Sequence, residues 1–443
     1  MCRRLSPRLR AGRGDQLPGL QAEAAAGVAS LRLVEQHLEE LLRVWPTRFA
    51  RHHGPLRPVV EQVLREFLKC GLLEHGFARL WCSGCRRSVL VAFSCRGRSF
   101  CPSCEKKKQL LWAEWLREEL LAPIPHRHAV LTIPRLLRPL FRRRRDLLTE
   151  LARAGAQATL ELVRRTAGHG ARAGLVVSLA TAGDLLQWHP HLHLLTTDGG
   201  FSSGGSFHWV PGWDPTLLMT LFRERLLARL LDRHAISPEL VRKLLAWRHP
   251  GFSAHVGEAL FSQDKQRLED TAAYLVRNPL SLKKLVYLDG QQAVLYRSRM
   301  NPSLGRNFEA LDPLEWLARM SDHIPDPGQH RTILYGHYAN RVRGARQRGE
   351  AEPQEASAEP PRRRCSPTWA RLIAKVYQAD PLVCTRCGQK MQMIAFLTDR
   401  LSIRRILDHL GLSTPPQERP PPVREILRVA ECGEGWGVPA EWE

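Results

Sequence analysis

Two tight cysteine pairs, Cys82-Ser-Gly-Cys85 and Cys101-Pro-Ser-Cys104, constrain this chain more than any other feature. A C-x2-C knuckle turns two thiolates toward one point, and two knuckles separated by 15 residues have the spacing of a zinc ribbon. Four thiolates fill a tetrahedral shell with no open position, so the expected ion is a structural Zn²⁺, and residues 82–104 should fold only with metal. Cys95, between the pairs, reads as a spare thiol. Cys384-Thr-Arg-Cys387 forms a third pair without a fourth behind it. Cys365 and Cys432 could complete it only at irregular spacing, which leaves a second metal site there open. The total of 11 cysteines is odd, and clustered C-x2-C pairs of this kind suit metal in a reducing compartment better than disulfides.

The 443 residues amount to about three domains' worth of chain. Lys plus Arg number 66 against 44 Asp plus Glu, a net charge of +22, and a surplus of that size implies a polyanionic partner, most often nucleic acid. Hydrophobic content of 43% excludes wholesale disorder. No apolar run approaches a membrane span, and no signal-peptide core follows the basic N-terminus, so the expected location is the cytosol, with no membrane partner.

Residues 1–28 read as a basic arm, and 29–125 as helices leading into the cysteine-rich segment, including one behind Pro58 with Val59, Val60, Val63, Leu64, Phe67 and Leu68 in helical register. Residues 126–343 mix short β-rich runs (128–134, 174–180, 191–196) with helices (217–231, 239–247, 264–276) and a hairpin about Asp289-Gly290. Residues 344–366 have linker composition, 367–415 a small helical unit around Cys384 and Cys387, and 416–443 a Pro-rich tail.

His191 and His193 stand two apart in the β-like run Trp188-His-Pro-His-Leu-His-Leu-Leu195. On a strand this spacing aims both imidazoles out of one face, about 7 Å apart along the chain, where they can grip one cation. Two histidines on an exposed strand face make the same pattern. Tyr274 falls on an expected helix whose buried side is Leu268, Ala272 and Leu275, and an interfacial Tyr would read identically.

His-Leu-His on a strand, a helix-borne Tyr about 80 residues later and the preceding Ala92-Phe-Ser-Cys-Arg-Gly-Arg-Ser-Phe-Cys-Pro-Ser-Cys104 together resemble the rolling-circle insertion-sequence transposases of the HUH endonuclease superfamily. The likeness is to the group with an N-terminal zinc-binding domain, which includes the insertion-sequence common-region elements. It runs from about Val59 to Leu412 and includes Leu131-Thr-Ile-Pro134, Asp198-Gly-Gly-Phe201, Tyr274-Leu-Val-Arg-Asn-Pro279 and Asp380-Pro-Leu-Val-Cys-Thr-Arg-Cys-Gly388.

The resemblance implies an α+β protein. A central antiparallel-sheet HUH tyrosine transposase domain (126–343), flanked by helices, would follow the helical four-cysteine zinc module (29–125), with the small helical unit at the C-terminus. It implies that His191 and His193 hold Mg²⁺ or Mn²⁺ on a scissile phosphate, and that Tyr274 attacks single-stranded DNA at element ends to give a 5′-phosphotyrosine and a free 3′-OH. Asn278, one helical turn after Tyr274, is the favoured third ligand, with Asp184 and Gln187 as rivals. Some relatives carry two tyrosines four apart; Asp270 and Asn278 flank Tyr274 here, so the chain matches a single-tyrosine version, and a second transfer needs a homodimer partner or a returning 3′-OH. No nucleotide-binding loop is visible, so strand opening would fall to host replication or helicase factors in a bacterial, nucleoid-associated setting. Arg142, Arg143, Arg144, Arg145 and Arg277 are candidates to line the DNA path, beside Arg135, Arg138, Lys283, Lys284, Arg341, Arg343 and Arg346, with Trp188 and Trp209 to stack bases. Two other readings remain: a metal-dependent hydrolase using the two histidines within a larger ligand set, and a non-catalytic zinc-ribbon DNA-binding protein.

Overall fold

The computed structural model describes residues 18–97, 99–168, 170–210, 212–247, 251–301, 305–349, 383–384, 386–412 and 428–430. Its strands, in chain order, are β1 (Phe77–Cys82), β2 (Arg87–Ala92), β3 (His126–Thr132), β4 (Gly174–Ala182), β5 (Trp188–Thr197), β6 (Gly199–Phe201), β7 (Phe207–Trp209), β8 (Ser253–Leu260), β9 (Leu285–Leu288), β10 (Ala293–Asn301), β11 (Arg306–Leu311), β12 (Thr332–Gly336), β13 (Gln392–Leu397) and β14 (Arg428–Ala430).

Five of these form an antiparallel sheet in the order β12-β4-β5-β3-β8. Period-two alternation decides what each face carries. Ala129, Leu131, Leu175, Val177, Leu179, Leu192 and Leu194 turn to one side and form the main core with helices Leu147–Ala167 and Pro215–Asp232. Helix Leu147–Ala167 comes so close that a Cβ at Gly155 would meet Leu192 Cδ1 at 2.3 Å. The other side carries His128, Ser178, His191 and His193, and receives helix Lys265–Leu275 through buried Leu268, Ala272 and Leu275, which pack with Val176 and Leu195.

A second core joins the N-terminal helices Pro18–Val44 and Pro58–Leu68 to the three-stranded sheet β11-β10-β9 and helix Pro313–Asp322; Leu33, Leu41, Val63 and Phe67 share it with Tyr296 and Trp316. The first helix begins at Pro18, inside the segment expected to be a loose arm through residue 28. Proline suits a first helical turn, where its missing N–H is not needed. Residues 1–17 lie outside the described residues.

The cysteine-rich segment holds a hairpin, β1–β2, which helical expectations for 29–125 passed over. Its sheet has the order β13-β1-β2-β14, so strands from the C-terminal part of the chain flank it on both edges. The small C-terminal unit expected to be helical therefore supplies strand β13 as well as helix Arg400–His409. The linker expected over 344–366 starts inside helix Asn340–Arg348, and its residues from 350 onward lie outside the described residues, as does the expected tail except 428–430. Among the described residues no helix is long and apolar enough to cross a membrane.

Candidate active site

On the histidine-bearing face of the sheet, β5 runs between β3 and β4, with His191 opposite Thr132 and Ala180, and His193 opposite Val130 and Ser178. The two rings meet with Nε2 to Nε2 at 3.1 Å and centroids 4.9 Å apart. His191 Nδ1 lies 2.7 Å from the carbonyl oxygen of His189, which can only accept, so the proton is on Nδ1 and Nε2 presents a lone pair. His193 Nδ1 faces His128 Nε2 at 3.2 Å. When His193 donates that Nδ1 proton to His128, two bare Nε2 atoms converge on one point. Nitrogens on adjacent corners of an octahedral ion at about 2.1 Å stand about 3.0 Å apart, which is the spacing found, so the pair fits a hard divalent cation.

Tyr274 sits on helix Lys265–Leu275 with its ring edge-on to His193 (centroids 5.1 Å, 85°) and to His128 (6.0 Å, 82°). It is 47% exposed, whereas Tyr296 and Tyr338 are buried. Tyr338 is occupied structurally: its hydroxyl lies 2.7 Å from His126 Nε2 and accepts from Ala122 N. The helix is held at several points. Ser178 Oγ on β4 donates to Leu275 O, Gln109 Nε2 donates to Ala273 O at 2.6 Å, and Arg117 pairs with Glu269 at 2.6 Å. Gln109 belongs to helix Pro102–Trp115, which starts at the last cysteine pair.

The structure thus brings His191, His193 and Tyr274 together, 81 residues apart at the nearest. The helix stops at Leu275, so Asn278 is not one helical turn from Tyr274; its Oδ1 accepts from Leu280 N at 3.1 Å and closes a turn. Gln187 Oε1 is taken by Leu185 N, and Asp184 is exposed beside Lys284. The residue that sequence reading missed is His128. It opens the β-rich run 128–134, but nothing in one dimension says that β3 pairs with β5.

The four predicted zinc ligands do not form one set. Cys82 and Cys85 stand at the closed end of the β1–β2 hairpin, whereas Cys101 and Cys104 follow its open end; a six-residue strand at about 3.3 Å per residue puts the two ends roughly 20 Å apart. Cys101 and Cys104 instead join Cys70, just before β1, and Cys95, just after β2 and no spare thiol. Their sulfurs lie 3.6 Å (Cys95–Cys104) and 3.7 Å (Cys70–Cys104, Cys70–Cys101) apart. Four sulfurs at 2.3 Å from one Zn²⁺ stand about 3.8 Å apart, so the cluster fits the ion. Gly97 packs tightly against it: a Cβ there would meet Cys101 Cβ at 3.0 Å and Cys95 Sγ at 3.2 Å. Cys82 and Cys85 meet Cys384 and Cys387.

Comparison with known proteins decides what this assembly belongs to. Residues 40–133 match a family described as a transposase zinc-binding domain, and residues 174–346 match a family described as a putative transposase. The chain is 27% identical over 363 residues to the transposase for insertion sequence element IS801 of Pseudomonas savastanoi pv. phaseolicola, covering 78% of this chain and 86% of that one. It is 26% identical over 324 residues to the putative transposase y4qJ of Sinorhizobium fredii (strain NBRC 101917 / NGR234), covering 69% and 80% respectively. No solved structure matches. The chain belongs to the insertion-sequence transposases.

As a transposase it acts on DNA, and one of the arginines expected to touch that DNA, Arg145, is used inside the protein. Arg145 is buried, donating to Asp322 O at 2.9 Å and Ile324 O at 3.1 Å while its guanidinium lies 5.1 Å from the Trp188 ring. Arg142 pairs with Asp322 at 3.3 Å, and Arg144 with Asp146 at 3.0 Å. The helix around them ends at Arg143, and of the run Arg142–Arg145 only Arg145 is buried. Arg143 and Arg277 are exposed, Arg277 three residues beyond Tyr274. Trp188 is buried, its Nε1 donating to Arg138 O, while Trp209 is 48% exposed.

Burial keeps five of the transposase's histidines neutral: it pushes His126, His128 and His323 down to about 4, and His189 and His193 down to about 3, with neighbouring imidazoles and arginines adding to the effect on His128, His189 and His193. The unfolded chain binds protons at these positions below about pH 6.5, which the folded chain refuses, so stability rises with pH across that window. The melting temperature should be level between pH 8 and 7 and fall as pH drops from 6.5 toward 4. Thermal melts over this range check it; a melt that is flat down to pH 5 would contradict the neutral assignment.

Proposed function

We propose that this transposase nicks and rejoins single-stranded DNA at element ends, as an HUH-type endonuclease and strand transferase, with Tyr274 as the nucleophile. The observation that supports this most directly is one exposed tyrosine ring held edge-on to His193 beside two converging imidazole nitrogens. Tyr274 Oη forms the bond to phosphorus, the P–O3′ bond breaks, and the leaving oxygen takes a proton to become a 3′-OH. The 5′ end stays on Tyr274 as a phosphodiester, so a later 3′-OH reverses the reaction without a nucleotide cofactor. A divalent ion, Mg²⁺ or Mn²⁺, held by His191 and His193 would supply polarisation of the scissile phosphate. Asn278 is not proposed as a ligand.

His128 orients rather than binds: it faces Nδ1 of His193, and it packs against the Tyr274 ring. Losing such a partner weakens metal sites by about 10- to 100-fold. His128→Ala should lower Mn²⁺ affinity by that factor with the melt unchanged, and His128→Asn should restore part of it; titration calorimetry measures both.

The hydrolase reading is disfavoured because, among the described residues, no carboxylate or further imidazole joins His191 and His193 in a ligand group. The experiment that tests the reading mixes labelled single-stranded DNA from the element's end with protein and Mg²⁺ or Mn²⁺ and looks for an SDS-resistant complex. A non-catalytic DNA binder would shift the DNA and leave nothing covalent.

A further inference from the structure

The cluster at the open end of the hairpin uses Cys70, Cys95, Cys101 and Cys104. The sulfurs of Cys82, Cys85, Cys384 and Cys387 make a separate group within 4.8 Å of one another. We propose that these four hold a second structural zinc ion, which fastens the C-terminal segment to the N-terminal hairpin. The matched zinc-binding domain ends at residue 133, so half of this site lies outside it.

The spacing is that of a sulfur tetrahedron: Cys82 to Cys387 is 3.5 Å and Cys85 to Cys384 is 3.8 Å, against the edge of about 3.8 Å that 2.3 Å zinc–sulfur bonds require. Both pairs are knuckles that point backbone N–H groups at their first sulfur. Cys82 receives Gly84 and Cys85, and Cys384 receives Arg386 and Cys387. The second knuckle is closed by Gly388 N to Cys384 O and Cys384 N to Gln389 O, both 2.8 Å, with Gly388 at φ +72°. The two knuckles interlock as well: a Cβ on Gly84 would lie 2.1 Å from Gln389 Oε1.

The sheet brings the knuckles together independently of any ion. β13 pairs with β1 from Phe77 opposite Leu397 to Trp81 opposite Gln392, which sets Cys384 and residues 386–391 beside the hairpin tip. Leu80, Val91 and Met391 bury an apolar floor with Cys82 and Cys384. Cys85 and Cys384 are 299 positions apart, so an ion here closes a loop of most of the molecule, the case in which a cross-link removes most chain entropy from the unfolded state.

Full-length protein purified without chelator should carry two zinc ions per chain by mass spectrometry of the metal, and the double variant Cys384→Ser with Cys387→Ser should carry one. Cys387→His, which keeps a ligand, should retain two. A second readout needs no variant: Cys387 is exposed, so alkylation should spare it in the zinc-loaded protein and reach it rapidly once a chelator is added. One zinc per wild-type chain, two in the double serine variant, or equal alkylation of Cys387 with and without chelator would each overturn the site.

Discussion

Tyr274→Phe should leave no covalent DNA complex, a loss on the order of 10⁴-fold or more, while DNA binding changes little. The contrast is large because the substitution removes one oxygen and keeps the ring. That ring makes the edge-on contacts to His193 and His128, and the helix beneath it is held by Leu268, Ala272 and Leu275 and by the bonds at Leu275 O and Ala273 O, none of which involves the phenol. Digestion of the wild-type adduct with trypsin should leave the nucleotide on the peptide Leu268–Arg277. An adduct that survives in the phenylalanine variant, or that maps to Tyr287, Tyr335 or another peptide, would remove Tyr274 from the reaction.

Stripping zinc from the cluster of Cys70, Cys95, Cys101 and Cys104 should be the most damaging change of conditions, since structural zinc contributes about 10 kcal/mol or more to folding of small modules. The effect should reach the active site although no cysteine touches it. Cys101 opens helix Pro102–Trp115, and Gln109 on that helix holds Ala273 O next to Tyr274. Arg331 makes a second link: its guanidinium donates to Ser99 Oγ at 2.9 Å in the cysteine loop and to Arg277 O at 3.0 Å behind the tyrosine. Cys101→Ser should therefore lower adduct yield at least about 100-fold and expose residues 70–115 to protease, while the core of Leu131, Leu192 and Phe222 keeps its own melting transition. Unchanged adduct yield in a protein shown to have lost that zinc would break the proposed coupling.

Much of the site was legible from periodicity. Alternation in residues 191–196 and 128–134 identified the strands, and the apolar spacing of Leu268, Ala272 and Leu275 identified the helix and its buried side, while the exposure of Tyr274 was left open. What the residues hid was pairing. The rule for C-x2-C pairs assumes that neighbouring knuckles share an ion, and it failed because Phe77–Cys82 and Arg87–Ala92 are alternating strands that carry the knuckles to opposite ends of a hairpin. That alternation, with Ser83-Gly84 between, was the available signal. His128 was missed for a related reason, since only strand order puts it beside His193. Arg145 misled because its charge is satisfied by the Asp322 and Ile324 carbonyls and by Asp326, partners 177 to 181 positions away.

The flanking of β1–β2 by β13 and β14 has a consequence for synthesis. As the chain leaves the ribosome, its cysteine hairpin must wait with both edges bare until about 300 further residues have been added, because the strands that cover it are Gln392–Leu397 and Arg428–Ala430. A copy cut short between residues 350 and 391 would keep every residue around Tyr274 and still expose two unpaired strand edges, so such truncated copies should be lost to aggregation or proteolysis before their chemistry is ever called upon.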